Sequence, residues 1–237
     1  MIHYFWTRVA QDTAAINKRL PVRTAVQHEA ACRMWLDHSS KFYEHQTLDR
    51  PFKVVLGHSE RWRPVIDSFF WPAYVEHTTL DICTWLQCNA TVGQQCTISR
   101  VDADDSFSLD LIAMLEQTMG PRTERTMMLY HWLKHYDMTR GLVSKPIRHL
   151  CPQFATVYFP EFPKTHPDQT RKHVPGNPFY GVVGNHGNYT QQPYIEPDGC
   201  YALLRLTGIN AINRWGTIGH GIVKPELETA EDTRFIL

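Results

Sequence analysis

The residues best equipped for chemistry in this 237-residue chain are the acids that close an apolar run: Cys96-Thr97-Ile98-Ser99-Arg100-Val101-Asp102-Ala103-Asp104-Asp105. Three carboxylates within four residues repel one another unless something positive sits among them. With Cys96 to Val101 as a strand, side chains alternate. Asp102 and Asp104 then project to one side, and Asp105 starts the turn that follows. Oxygen ligands of this kind suit a hard divalent cation, Mg2+ or Mn2+. The carboxyl end of a strand in an α/β sheet is also where ligands bind. Helix capping by Ser106 or Ser108, ahead of Leu109-Asp110-Leu111-Ile112-Ala113-Met114-Leu115, would need one acid rather than three. A calcium loop counted from Asp102 needs Gly sixth and Glu twelfth, and meets Phe107 and Ala113 instead.

Other signals are weaker. His131 and His135 have the spacing of a zinc-protease pair, but His131-Trp132-Leu133-Lys134-His135 lacks its Glu. Gly181-Val182-Val183-Gly184 lacks the third glycine of a dinucleotide fingerprint. His77, Cys83, Cys88 and Cys96 match no standard zinc spacing. Most of the tryptophans read as core, with Trp215 the one suited to stacking on a sugar. Glu196, Asp198 and His186 are equally defensible as a general base, so no catalytic residue is assigned.

The elements that must carry the acids follow from the apolar pattern. Strands are expected over 2–9, 52–57, 74–78 and the run ending at Asp102, with helices over 23–46, 63–70, 79–90 and 108–119. This alternation predicts an α/β fold with a mainly parallel, covered sheet. Further strands are expected over 126–136 and 155–159, then a long loop over 160–178. No repeat or linker is visible, so 1–237 reads as a single domain. A hydrophobic fraction of 43% and an aromatic fraction of 12% imply a full core rather than disorder. No apolar run reaches the ~20 residues of a membrane span. The start, Met1 to Val9, reads as a core strand rather than a signal peptide, and the six scattered cysteines as reduced thiols, so a cytoplasmic location is expected (host cytoplasm if the source is a phage). The net charge is zero, but Pro121 to His173 holds nine Lys or Arg against four Asp or Glu. A basic stretch after an acidic metal site suits an anionic ligand that bridges the two.

Arg100-Val101-Asp102-Ala103-Asp104-Asp105 with a helix after it resembles the RxDxDD form of the DxD motif in GT-A-type glycosyltransferases. Thr7-Arg8, Trp35-Leu36-Asp37-His38 and Asn177-Pro178-Phe179 are similar to segments of rhamnosyltransferase-like proteins. The resemblance implies a Rossmann-like GT-A fold with helices on both faces of the sheet. Residues 1–120 would be the nucleotide-sugar-binding half and 121–237 the acceptor-side half. It implies a nucleotide-sugar donor contacted by Thr7, Arg8, Arg100 and Asp102, and Mn2+ or Mg2+ held by Asp104 and Asp105. Related proteins place a His beside a late strand to complete the metal site. Here Thr207 stands in that stretch, which leaves His186 or His220, with His186 preferred because Gly184 and Gly187 flank it.

The reading is therefore a metal-dependent glycosyltransferase acting on a glycan or a modified base in DNA. The alternatives are a metal-dependent phosphoryl or nucleotidyl transferase, since paired aspartates also build two-metal sites, and a non-catalytic relative that binds glycan or nucleic acid.

Overall fold

The computed structural model describes residues 1–11, 23–149, 154–164, 179, 193–206, 227–229 and 234–235. In chain order the first half runs β1 (Ile2–Arg8), α1 (Ala25–Met34), α2 (Ser40–Glu44), β2 (Phe52–Gly57), α3 (Arg63–Asp67), β3 (Val75–Thr78), α4 (Ile82–Asn89) and β4 (Cys96–Asp102). There follow β5 (Ser106–Phe107), α5 (Leu111–Met119), β6 (Thr126–Leu129), β7 (Trp132–Asp137), β8 (Leu142–Ser144), β9 (Ile147–Arg148), β10 (Ala155–Phe159), β11 (Ala202–Leu206) and β12 (Leu227–Thr229).

The central sheet has the order β3-β2-β1-β4-β10-β6. The first four strands are parallel, and β10 lies antiparallel between β4 and β6. Alternation along the strands feeds two cores. Phe5, Val54, Leu56 and Val101 pack with Trp35, Phe42, Ile66 and Leu115 on one face. Tyr4, Trp6, Val55 and Ile98 pack with Ile82, Trp85 and Leu86 on the other. Helices α1, α3 and α5 thus cover one face and α4 the other. This is the mostly parallel α/β arrangement that the strand–helix alternation predicts. Gly57 is required by close packing, because a methyl group there would land inside the Trp6 ring.

A second sheet, β12-β8-β7-β11-β5 with β9 beside β7, abuts the first. Phe107, Leu133, Ala202 and Leu204 of this sheet share a core with Phe5 and Val54. The expected strand over 126–136 is in fact two strands, β6 and β7, in different sheets. The chain breaks at Tyr130 and His131, where the Tyr130 hydroxyl meets Thr156 Oγ1 at 2.8 Å inside the core. The helix expected over 23–46 is also interrupted. Thr24 and Gln27 form a reciprocal capping box that starts α1. A π-turn at Trp35–Ser39 then separates α1 from α2. Helix α5 begins at Leu111 with Asp110 at its N-cap, not with Ser106 or Ser108; Ser106 lies in β5.

Candidate functional site

Strand β1 lies between β2 and β4, and the connection leaves it first toward β2 and later crosses back to β4. The direction of winding therefore reverses between β1 and β4, and the crevice at their carboxyl ends is the topological switch point of the sheet. In register there, Thr7 lies beside Val101 and Arg8 beside Asp102. Arg8 Nη2 sits 3.7 Å from Asp102 Oδ1, both side chains being about a third exposed. An exposed pair of this kind contributes at most about 1 kcal/mol, so its interest is positional. Ala10, just past β1, has φ +45° and is buried. A non-glycine residue in the left-handed region carries strain of the sort that gathers at ligand sites.

The acidic segment departs from strand alternation two residues earlier than its sequence suggests. Strand β4 ends at Asp102, and the Asp105 amide donates to the Asp102 carbonyl at 3.1 Å, closing a tight turn. Asp104 stands at the tip of that turn. Asp105 is buried, and its Oδ1 accepts from the Arg205 amide at 3.0 Å. Ser39, from the π-turn, donates to the Ala103 carbonyl at 2.9 Å, and Arg205 Nη1 donates to Ser39 Oγ at 3.2 Å. Both residues flanking Asp104 are thereby pinned.

Burial, and then the charge of Asp102, push the Asp104 carboxyl up to about 6, although Arg23 and Arg205 pull the other way. Burial raises the Asp105 carboxyl well above its usual range, with Asp104 and Asp102 adding to the effect and Arg205 opposing it. The positive group that three neighbouring carboxylates demand is thus partly built in. Arg205 is fully buried on β11, Arg23 acts on Asp104, and Arg8 faces Asp102. Sequence reasoning passed over Arg205. The available signal was a lone arginine inside the apolar run Ala202-Leu203-Leu204-Arg205-Leu206, since a charged residue is rarely buried without a partner.

The donor contacts expected of the first strand divide. The Thr7 side chain is buried, which leaves only its backbone near the rim. Arg100 is buried two residues behind Asp102 on the same strand face. Arg8 and Asp102 are accessible. Among the described residues no group of three or more His, Cys, Asp or Glu is arranged to hold a metal ion. The aspartates therefore do not form a metal shell by themselves, and neither do His77, Cys83, Cys88 and Cys96. Oxygen donors whose carboxyls are driven upward by burial and then by mutual repulsion do fit a hard cation, which would relieve that repulsion. Asp104 and the second oxygen of Asp105 are the groups suited to it. His186, His220, Thr207, Trp215 and Asn177-Pro178 lie outside the described residues.

The basic segment is less of a free positive face than its composition suggests. Arg140 Nε lies 3.6 Å from Asp137, and Arg148 Nη2 donates to Glu196 Oε1 at 3.0 Å. His131, His135 and His149 are buried. Of the base candidates, Glu196 is held by Arg148 and lies 3.9 Å from His131 Nε2, while Asp198 is exposed. None of the described cysteines forms a disulfide, with Cys32, Cys83, Cys96 and Cys200 buried and Cys88 exposed. No described helix is long and apolar enough to cross a membrane.

No family model matches the chain, and no curated protein does. Among solved structures, S. aureus TarS superposes with a TM-score of 0.43 at 8% identity, over 87% of this chain and 37% of that one. The chain thus spans little more than a third of that protein. The inositol-1-phosphate CTP transferase from T. maritima superposes with a TM-score of 0.31 at 8% identity, over 85% of this chain and 84% of that one.

Proposed function

We propose that the chain is a metal-dependent glycosyltransferase that takes its sugar from a nucleotide-sugar donor, with the nucleoside diphosphate seated over the carboxyl ends of β1 and β4. The observation that carries this reading is the pinned acidic turn at the switch point of the sheet, where open α/β sheets bind their ligands. Arg8 and Asp102, side by side and accessible, suit a ribose and phosphate together. The carboxylate accepts from sugar hydroxyls, and the guanidinium donates to phosphate oxygens. Asp104, with the outer oxygen of Asp105, would hold Mn2+ or Mg2+, and His186 is proposed as a further ligand. Such a cation neutralises the charge that grows on the departing nucleoside diphosphate. The Ala103 carbonyl, the Asp105 amide and Asp105 Oδ1 are already bonded to the Ser39 hydroxyl, the Asp102 carbonyl and the Arg205 amide, so these groups of the turn need not reorganise when the donor arrives. The acceptor is proposed to be a glycan; the pairing of Arg140 and Arg148 with acids gives no support to a DNA acceptor.

Calorimetric titration of UDP, GDP, dTDP, CDP and ADP with Mn2+, with Mg2+ and in EDTA tests the proposal. At least one diphosphate should bind only with the cation, and Asp104→Asn should abolish that binding while leaving the melting temperature of the metal-free protein within a few degrees. Undiminished affinity in EDTA would refute metal dependence. Release of pyrophosphate from a nucleoside triphosphate, rather than of a diphosphate from its sugar conjugate, would reassign the site to nucleotidyl transfer.

A further inference from the structure

A fully buried guanidinium costs several kcal/mol to remove from water, and a well-packed apolar residue often replaces a buried ion pair without loss of stability. Stability alone is therefore a weak reason for Arg205 to stand in the core. Its contacts are specific. The residue comes from β11, in the second sheet, and reaches the acidic turn of the first by two routes. Its backbone amide donates to Asp105 Oδ1 at 3.0 Å, a bond that depends on the position and not on the side chain. Its Nη1 donates to Ser39 Oγ at 3.2 Å, and Ser39 in turn donates to the Ala103 carbonyl at 2.9 Å. The two routes end on the two neighbours of Asp104. Ser39 closes the π-turn at Trp35–Ser39, and single π-turns inside α-helices gather at functional sites. Ser39 and the acidic turn are far apart in sequence, and Arg205 joins them, bonding Ser39 and Asp105 directly and Ala103 through Ser39.

We infer that Arg205 and Ser39 are positioning residues that fix Asp104 at the tip of the acidic turn in the orientation needed by the metal and nucleoside diphosphate. The inference rests on the proposed reading of that turn as the donor site. The guanidinium supplies a fixed positive charge beneath the carboxylates, and the serine hydroxyl relays its position to the backbone on the far side of the turn. Neither touches the donor. Their effect passes through the turn, as do supporting contacts behind metal ligands, whose loss typically lowers metal affinity or activity by 10–100-fold.

The test is calorimetry of the full chain with Mn2+ and the best-binding nucleoside diphosphate, together with thermal unfolding of each metal-free variant. Ser39→Ala removes the relay and keeps the buried charge. It is expected to weaken Mn2+-dependent diphosphate binding about tenfold or more while the melting temperature moves only a few degrees. Arg205→Lys keeps a positive charge and loses the planar fork; it should weaken binding to a similar degree. The double variant should then be little worse than either single one, because residues that act in series are not additive. If Arg205→Lys does not fold, Ser39→Ala alone decides. Wild-type affinity in a folded Ser39→Ala variant would overturn this inference and leave the donor site standing, as would strict additivity in the double variant. Failure of the wild-type protein to bind any nucleoside diphosphate with Mn2+ would overturn both.

Discussion

Acid should destabilise this protein in part through a buried pair of histidines. His135 on β7 and His149, just after β9, are both buried, with Nε2 atoms 2.9 Å apart and rings 5.1 Å apart. In the neutral pair one Nε2–H donates to the lone pair of the other. A proton on the accepting imidazole removes that lone pair and sets N–H against N–H. Burial pushes both imidazoles down to about 4, aided by His149 acting on His135 and by His131 acting on His149. The groups around them are His131, which donates from Nδ1 to the His149 carbonyl, and Glu196, which faces His131 and pairs with Arg148. In the unfolded chain each imidazole titrates near 6.5. Between about pH 4 and 6.5 the unfolded state therefore binds more protons than the native one, so stability rises with pH. The contribution is complete above about 6.5 and is lost as pH falls toward 4. The gradient is up to ~1.4 kcal/mol per pH unit per histidine, or roughly 3 kcal/mol each over the window. That is a large part of a typical total stability of about 5–15 kcal/mol.

Asp104 works in the opposite sense over much of the same range. Its carboxyl is pushed up to about 6, so its native form holds a proton that the unfolded form has released. Its contribution is present below about pH 4 and is lost as pH rises through 6. The wild-type gradient is therefore a partial cancellation, and the informative quantity is a difference. His149→Gln keeps an N–H that can donate to His135 but removes one titrating group. Urea unfolding at pH 7.5, 6.5, 5.5 and 5.0 should give a gradient shallower than wild type by up to ~1.4 kcal/mol per pH unit. Asp104→Asn should give a steeper one. Identical gradients in wild type and His149→Gln would refute the reasoning.

Three further outcomes are expected. Gly57→Ala should cost about 1–3 kcal/mol by overpacking against the Trp6 ring, and an unchanged urea midpoint would count against the close approach of β2 to that side chain. Neutralising Arg140 and Arg148 together should leave the salt dependence of binding to an anionic polymer such as heparin unaltered, because Asp137 and Glu196 already balance them; a weaker dependence on salt in the double variant would restore that segment as a binding face. If His186 completes the metal site, His186→Ala should lower turnover more with Mn2+ than with Mg2+, since imidazole favours the softer ion; equal small losses with both metals would make it a bystander.

The sequence by itself determined the elements whose signals are local. Alternation of apolar runs with capped helical segments specified β1, β2, β3 and β4 and the helices between them, because period and capping are properties of a few consecutive residues. It also determined that three carboxylates would crowd the end of β4. It did not determine where the turn begins, since a hydrogen bond between Asp105 and Asp102 leaves no trace in composition. It read 126–136 as one strand, because β6 and β7 are both apolar and only the competition of two sheets for pairing separates them. It took the helix from 23 onward as continuous, although Ser39 and Ser40 mark the place where hydroxyls compete for backbone partners. The counter-charge of the acidic turn was decided by tertiary structure alone. Arg205 lies a hundred residues from Asp105, and a contact across that separation depends on how two sheets pack. The basic face met the same limit: its arginines are plain in the sequence, but the acids that balance Arg140 and Arg148 are found by the fold.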